Sequence, residues 1–399
     1  MRILQVVDSL DPIYGGPPTV VLRLAAALAR EGAQVTLYSQ ERSGRESDIA
    51  ATLRGIPGIE LVRRVSDVCD GRVDRLMGRP ARDFLRRPEN KFDVVHIHGL
   101  WRPGLAAILK ESFRRSCPYV ITPHGMLARW SLAQKPLRKK VALALTWRTL
   151  IQQASFVHAL TQAEARDFAA LGIACPVDIV PNGFFLEEMG ELPPPGSYYA
   201  AHPELGGQPF ILFLGRLHYV KRVDWLVRAF AKLAATIVDV HLVLAGPDCG
   251  TRPQIEQEVE ALGIGNRVHF VGPLYGAQKY AAMVDARCFC QPSVYETFSM
   301  AILEAMACGL PPVITRGCNF DEIETSGAGL VADSEDDLVA ALGKLCTDAD
   351  ARVAAAKKAR DLVVAKYTWP VVARQMLARY QARLQRQGAG GEAARPQLG

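Results

Sequence analysis

Short apolar runs of strand length alternate with longer helix-like segments along nearly the whole chain, and this alternation points to parallel α/β architecture. In the first half the strand-like runs are Ile3–Val7, Gln34–Ser39, Ile59–Val62, Val94–His98, Tyr119–Thr122, Phe156–Ala159 and Asp178–Val180. In the second they are Phe210–Leu214, His241–Ala245, Val268–Val271, Cys288–Gln291 and Pro312–Thr315. Helical patterns follow several of them, notably Thr19–Glu31, Arg102–Arg115, Ala163–Leu171 and Asp224–Leu233. At 399 residues the chain is long for one core, so two domains are the natural division. Residues 1–190 form the first and 208–370 the second. The proline-rich stretch Leu192–Ser197 and the polar residues after it, 191–207, read as the linker. A last helical pattern spans 371–387, and the Gly/Ala-rich tail 388–399 is expected to be disordered.

Within this frame the segment Tyr295–Pro311 carries the most chemistry. Glu296 and Glu304 flank the start of an apolar helix, roughly 10–12 Å apart along its axis. Between them lie free backbone N–H groups of a helix N-terminus, which favour phosphate. An acid, an anion site and a second acid in line match a nucleotide-sugar: sugar hydroxyls at Glu296, diphosphate at the helix end, ribose at Glu304. The competing reading is a buried helix with one surface acid and one acid favoured by the helix dipole.

Gly215-Arg216-Leu217-His218-Tyr219-Val220-Lys221 follows the apolar run Phe210–Leu214 and precedes a helix. Ends of strands leading into helices are where α/β sheets bind ligands. Arg216 offers a planar fork to phosphate oxygens and Lys221 a point charge. Taken alone, such a pair is more often two solvated cations. In the first half, Gly15-Gly16 sits between the first strand and the first helix and permits close approach of a ligand to the backbone. It is not G-x-G-x-x-G, so a dinucleotide cofactor is disfavoured. His96 and His98 share one face of a strand, and His124 ends the next one at a Pro-His-Gly turn. A metal held by the three histidines is conceivable, but no nearby acid or cysteine completes a known site type. One histidine of the pair is expected to pack and the other to line the ligand cleft.

The Glu296-x7-Glu304 run, the Gly215-Arg216-x4-Lys221 run, Thr122-Pro123-His124-Gly125, Pro181-Asn182-Gly183 and Tyr14-Gly15-Gly16-Pro17 occur together. That set closely resembles the family 4 glycosyltransferases (glycosyl transferases group 1), over roughly residues 1–385. Two departures are visible. Ser299 stands where the family usually has glycine, and Pro18 and Thr19 occupy the region where it usually has an acid. The resemblance implies a GT-B fold, with two Rossmann-like domains facing a central cleft and the last helix crossing back to the first domain. It implies a retaining, metal-independent hexosyltransferase moving sugar from a nucleotide-diphospho-sugar, UDP- or GDP-linked, to an acceptor hydroxyl. Arg216, Lys221, Glu296 and His124 are then the catalytic set, with His124 contacting the donor sugar. Donor binding falls to Gly15, Gly16, Gly215, Phe298, Ser299, Met300 and Glu304, with the base near Gly246, Pro247, Val271 and Leu274. Tyr14, His98 and Trp101 are assigned to the acceptor side. Bacterial-type polysaccharide or lipid-linked saccharide assembly is the expected setting. A GT-B enzyme of another reaction, an epimerase or phosphorylase, and a non-catalytic nucleotide-sugar binding protein remain the alternatives.

No metal or other cofactor is expected. Asp348-Ala349-Asp350 has the spacing of an acidic metal motif, but it opens a lysine-containing helix where acids serve as caps and dipole partners. Cys288 and Cys290 alternate in an apolar run as buried strand residues do. Nine cysteines without framework spacing suggest reduced thiols in a cytoplasm. No signal-peptide pattern opens the chain, and no uninterrupted apolar run approaches membrane-spanning length. Residues 1–190 hold 26 Lys/Arg and 19 Asp/Glu, a balance of +7; the rest hold 21 and 22, a balance of −1. The excess concentrates in Arg72–Lys91 and Lys135–Arg148. In the latter, Lys135, Arg138, Lys139 and Lys140 precede Val141–Leu145 and Trp147. This pattern suits peripheral binding to an anionic membrane surface, the competing reading being a solvated helix with its apolar side in the core. Nothing points to nucleic acid.

Overall fold

The computed structural model describes residues 1–41, 43–68 and 78–389. The chain forms two compact units, residues 1–188 with 369–399, and residues 189–368.

The first unit contains a seven-stranded sheet of β1 (Arg2–Val7), β2 (Gln34–Glu41), β3 (Arg63–Val68), β4 (Val94–His98), β5 (Tyr119–Thr122), β6 (Phe156–Ala159) and β7 (Val177–Ile179). Its order is β3-β2-β1-β4-β5-β6-β7, with every pairing parallel. The order reverses between β1 and β4, so the turns after these two strands diverge there and leave room for a ligand. Ile59–Val62, expected to be the third strand, instead holds the 3₁₀ turn Ile59–Leu61, and the strand starts at Arg63. That edge strand carries Arg63, Arg64, Ser66 and Asp67, so no apolar run announces it.

The second unit repeats the design with β8 (Phe210–Leu214), β9 (His241–Ala245), β10 (Val268–Gly272), β11 (Cys288–Gln291), β12 (Pro312–Thr315) and β13 (Leu330–Ala332). Its order is β10-β9-β8-β11-β12-β13, again parallel throughout, and the reversal falls between β8 and β11. The three-residue edge strand β13 was not anticipated from the sequence.

The stretch expected to be a linker belongs to the second unit. It forms a short helix, Ser197–Ala201, and a 3₁₀ turn, Pro203–Leu205. The Asp285 carboxylate accepts from the N–H groups of Gly196 (2.7 Å) and Tyr198 (2.8 Å). Tyr198 is buried with its ring 5.4 Å from that of Phe210. Satisfied backbone and a buried aromatic anchor explain why a proline-rich segment is ordered here.

The final helix, Trp369–Ala389, packs on the first unit. Trp369, Val372, Ala373, Met376 and Tyr380 join Ile3, Val21 and Phe185 in one core cluster. Gly183 makes the docking possible, because a Cβ there would lie 2.7 Å from the Trp369 ring. The Trp369 N–H then bonds the Phe184 carbonyl at 3.1 Å. Close packing thus accounts for the glycine of the Pro181-Asn182-Gly183 motif. Residues 390–399 lie outside the described residues.

Candidate active site

In the second unit the site is assembled at the ends of β8 and β11. After β8, Gly215 closes a backbone bridge to β9, its N–H bonding the Ala245 carbonyl at 2.9 Å. Gly246 lies against it at φ +145°, and a Cβ there would fall 1.8 Å from the Gly215 carbonyl oxygen. Only glycine fits. Arg216 follows, exposed and without an ion pair among the described residues. Lys221 ends a 3₁₀ turn, and its Nζ donates to Glu296 Oε1 at 2.6 Å. Their side chains are only 16% and 14% exposed. Burial to that degree strengthens the ion pair over one in water.

Glu296 is held from three further directions. Its backbone N–H bonds the Gly317 carbonyl at 2.8 Å. Its own carbonyl accepts from Asn319 Nδ2 at 2.6 Å. Gln291, fully buried at the end of β11, donates to Oε1 at 2.9 Å. Gln291 is oriented in turn by Ser299, whose hydroxyl donates to Oε1 of Gln291 at 3.0 Å and caps the helix Met300–Ala307 by accepting from the Ile302 N–H. Ser299 therefore has a definite task at the position where glycine was expected. Glu296 Oε1 is doubly hydrogen-bonded, and Oε2 has no partner among the described residues. The Phe298 ring packs against Phe320 (4.9 Å) and Tyr367 (6.1 Å).

Glu304, one turn into the helix, pairs with Lys279 at 2.9 Å. Lys279, on the helix Gly276–Asp285 after β10, was missed in the sequence, as were Gln291 and Asn319. Lysine in a polar helix carries no signal of its own. Each acid of the Glu296-x7-Glu304 run thus has a lysine partner. Gly246 and Pro247 follow β9; Val271 lies within β10 and Leu274, largely buried, just beyond it.

In the first unit, Gly15 has φ +81° and Gly16 begins the helix Gly16–Arg30, with open space at both α-carbons. Pro17 and Pro18 lack N–H groups, so the first four helical residues offer only those of Gly16 and Thr19. Tyr14 is exposed with the Arg102 guanidinium 5.9 Å from its ring centre. Trp101 packs edge-on to Trp147 and lines an open cavity of about 430 Å³ with Arg82, Arg102, Lys110 and Arg114.

The histidines correct two expectations. Neither His96 nor His98 lines a surface: both are buried in the core. His98 bonds His124 at 3.0 Å and Gln5 at 2.6 Å, and His96 bonds Tyr380 and Thr122, each at 2.6 Å. The rings spend their nitrogens on these partners, and among the described residues no group of three or more His, Cys, Asp or Glu is arranged for a metal ion. His98 therefore supports His124 instead of touching an acceptor. His124 itself is half-buried at φ +51°, followed by Gly125 at +75°. Burial depresses its pKa to about 3, with the neighbouring His158 adding to the effect. Glu164 fixes this turn, its carboxylate accepting from the N–H groups of Gly125 (2.7 Å) and Leu160 (2.8 Å). Burial pushes its pKa up to about 7 against those two hydrogen bonds. The Thr161-x-x-Glu164 spacing of a capping box was the available signal.

The basic helical stretch also differs in part. Trp147 is buried at 3% exposure, so it belongs to the core. Leu137 and Leu145 are 76% and 79% exposed, with Val141 between them also exposed. Spacings of four place these three on one helical stripe. From Ser112 to Ala163 there is no Asp or Glu, against eight Lys/Arg. Residues 72–77 of the other basic segment lie outside the described residues. No described helix is long and apolar enough to cross a membrane.

Comparisons with known proteins identify the family and the fold. The model of the glycosyl transferases group 1 matches residues 199–362, and that of the glycosyl transferase 4-like domain matches residues 15–183. D-inositol 3-phosphate glycosyltransferase of Nocardia farcinica is 28% identical over 395 residues, covering 93% of this chain and 85% of that protein. The protein of the same name from Kribbella flavida is 28% identical over 400 residues, covering 92% and 90%. Among solved structures, Anabaena HepE in complex with UDP and glucose superposes with a TM-score of 0.73 at 20% identity, covering 96% of this chain and 100% of that one. Sucrose-phosphate synthase of Thermosynechococcus elongatus gives 0.72 at 20% identity, covering 98% and 100%. The doubled Rossmann-like architecture and these matches agree: the chain is a glycosyltransferase of family 4, the group 1 glycosyl transferases, with the GT-B fold.

Proposed function

We propose that the protein transfers a hexose from a nucleotide-diphospho-sugar to an acceptor hydroxyl with retention of anomeric configuration and without a metal. The observation that carries this reading is the second unit's arrangement of Arg216, Lys221–Glu296 and a serine-capped helix N-terminus around one strand reversal. Arg216 and Lys221 take the leaving diphosphate with N–H groups around Phe298–Met300, which lie at the positive end of the helix. Glu296 uses its open Oε2 for a sugar hydroxyl. Glu304 takes the ribose, and Gly246, Pro247, Val271 and Leu274 border the base. On the first unit, Gly15, Gly16 and His124 serve the donor, and Tyr14 and Trp101 serve the acceptor. Rate enhancement comes from alignment and from preorganised charge at the leaving group. HepE is solved with UDP, which supports a nucleotide-sugar donor here; the inositol 3-phosphate in the relatives' name and the cavity beside Trp101, lined by Arg82, Arg102, Lys110 and Arg114, support an acceptor bearing an anionic group.

The exposed stripe Leu137, Val141, Leu145 within an acid-free basic segment favours peripheral association with an anionic membrane and a lipid-linked saccharide acceptor. Thermal stabilisation across UDP, GDP, ADP and their sugars tests the donor class, since a ligand raises stability by mass action. Turnover in EDTA tests the metal. No stabilisation by any nucleotide-sugar would remove the donor assignment; activity lost in EDTA and restored by magnesium or manganese would remove metal independence.

A further inference from the structure

One continuous hydrogen-bond chain runs through the core of the first unit. His124 Nε2 meets His98 Nδ1 at 3.0 Å, and His98 Nε2 meets Gln5 Oε1 at 2.6 Å. Gln5 Nε2 meets the Tyr380 hydroxyl at 3.3 Å, and that hydroxyl meets His96 Nδ1 at 2.6 Å. His96 Nε2 meets the Thr122 hydroxyl at 2.6 Å, which meets His158 Nδ1 at 2.7 Å. The chain ends where His158 Nε2 meets the Val180 carbonyl oxygen at 2.7 Å.

A carbonyl oxygen only accepts, and this fixes every proton upstream. His158 must carry its proton on Nε2, so its Nδ1 accepts from Thr122. The Thr122 oxygen then accepts from His96 Nε2–H, and His96 Nδ1 accepts from Tyr380. The Tyr380 oxygen accepts from the Gln5 amide, whose Oε1 accepts from His98 Nε2–H. His98 Nδ1 is left to accept from His124 Nε2–H. The reverse direction would set two lone pairs face to face at His158 and Val180. Burial keeps His96, His98, His124 and His158 neutral, which excludes the doubly protonated rings that would relax this logic. Aligned bonds in a buried chain polarise one another and strengthen its single direction.

We propose that Gln5, Tyr380, His96, Thr122 and His158 are positioning residues that hold His124 as its Nε2–H tautomer, so that Nδ1 accepts a hydrogen bond from a saccharide hydroxyl. His124 Nδ1 has no partner among the described residues. The saccharide must therefore present a donor at this point. The specificity half of the inference rests on the glycosyl-transfer reading; the tautomer half does not.

Nitrogen-15 NMR of histidine-labelled full-length protein reads the tautomer directly. The wild type is expected to show His124 protonated on Nε2 alone. Thr122→Val removes the hydroxyl that links His96 to His158, and Tyr380→Phe removes the group that orients Gln5. Each should mix the His124 tautomers and lower kcat about tenfold, the effect of one neutral hydrogen bond, with little change in nucleotide affinity. Thr122→Ser should restore both readings. A wild-type His124 protonated on Nδ1, or a single unchanged tautomer in both disrupting variants, overturns the proposal. Mixed tautomers in the variants of a protein that transfers no sugar would sustain the chain and overturn the glycosyl-transfer reading instead.

Discussion

Lys221 and Glu296 meet at 2.6 Å, and the lysine shares the acid's Oε1 with the amide of Gln291, leaving Oε2 without a partner among the described residues. The pair couples the cation assigned to the diphosphate to the acid assigned to the sugar. Arg216→Ala and Lys221→Ala should each reduce turnover by about 10²–10³, the scale for losing one preorganised donor to developing charge. Glu296→Gln should impair transfer comparably while nucleotide diphosphate affinity stays nearly intact. Steady-state kinetics with calorimetry decide it, and variants keeping half of wild-type turnover would remove these residues from the mechanism.

Glu304 forms the second pair, with Lys279 at 2.9 Å. Glu304→Ala should weaken the bare nucleotide diphosphate, because ribose contacts are lost. If Glu304 served only to neutralise Lys279, its removal would leave a free cation and tighten binding of the diphosphate. Calorimetric affinities of opposite sign thus separate the two roles.

Two glycines in positive-φ backbone should respond differently to alanine. Gly246→Ala puts Cβ 1.8 Å from the Gly215 carbonyl oxygen, where neither backbone can yield. A loss of about 2–5 kcal/mol and a melting point lower by roughly 5–15 °C are expected. Gly15→Ala meets no atom within 4 Å and carries only backbone strain, about 1–3 kcal/mol, from its φ of +81° and ψ of −138°. Equal melting shifts in the two variants would contradict this account.

Stability should fall as the solution is acidified from neutrality. Buried His96, His98 and His158 and half-buried His124 have pKa values depressed below 6.5, to about 3 for His124 and about 4 for His158. Above 6.5 both folded and unfolded chains are neutral at these sites. Below it the unfolded chain takes up protons that the folded one refuses, so stability is lost as pH falls. Glu164 acts oppositely, since its pKa is raised from 4.5 to about 7: its stabilising contribution is complete below 4.5 and lost as pH rises through 7. Four sites against one leave a net of about three protons near pH 5, or roughly 4 kcal/mol per pH unit at most. Melting points measured from pH 7.5 to 4.5 should drop steeply, and a flat profile would show that these histidines titrate normally.

Sedimentation with anionic vesicles should be strong at low salt and weak near about 0.5 M, because each basic residue at the surface contributes about 1 kcal/mol that salt screens. Charge reversal of Arg138, Lys139 and Lys140 to Glu should reduce it. Replacing Leu137, Val141 and Leu145 by Ser should reduce it without altering the salt dependence. No pelleting at low salt would leave a protein that works on a soluble acceptor.

Seven of the strands were legible to the residue from their apolar runs alone, Val94–His98 and Cys288–Gln291 among them, because parallel strands are buried on both faces. The polar edge strand Arg63–Val68 and the short Leu330–Ala332 were not, since an edge strand needs little apolar character. The site was legible where spacing carried it: Arg216 with Lys221, and Glu296 with Glu304. Lys279 and Glu164 were hidden because each acts on a residue distant in sequence, Glu304 and Gly125, and no local pattern records such a partner. Gln291 lies only five residues from Glu296, but a lone glutamine closing an apolar strand carries no signal of its own. His98 was misassigned for the same reason. Its place on the strand face was correct, but the buried amide of Gln5 that claims its outer nitrogen comes from a neighbouring strand.

The second unit is one uninterrupted stretch, 189–368, whereas the first needs residues from both ends of the chain. On the ribosome this inverts the order of completion. Residues 1–188 emerge early but lack Trp369 against Gly183 and the Tyr380 hydroxyl between Gln5 and His96. The intervening 180 residues (368 − 188) take roughly 10–40 s to synthesise at about 5–20 residues per second, and they can close their own core meanwhile. The unit begun first is thus finished last, and until the terminal helix emerges the apolar side chains it covers, Ile3, Val21 and Phe185 among them, lack their cover.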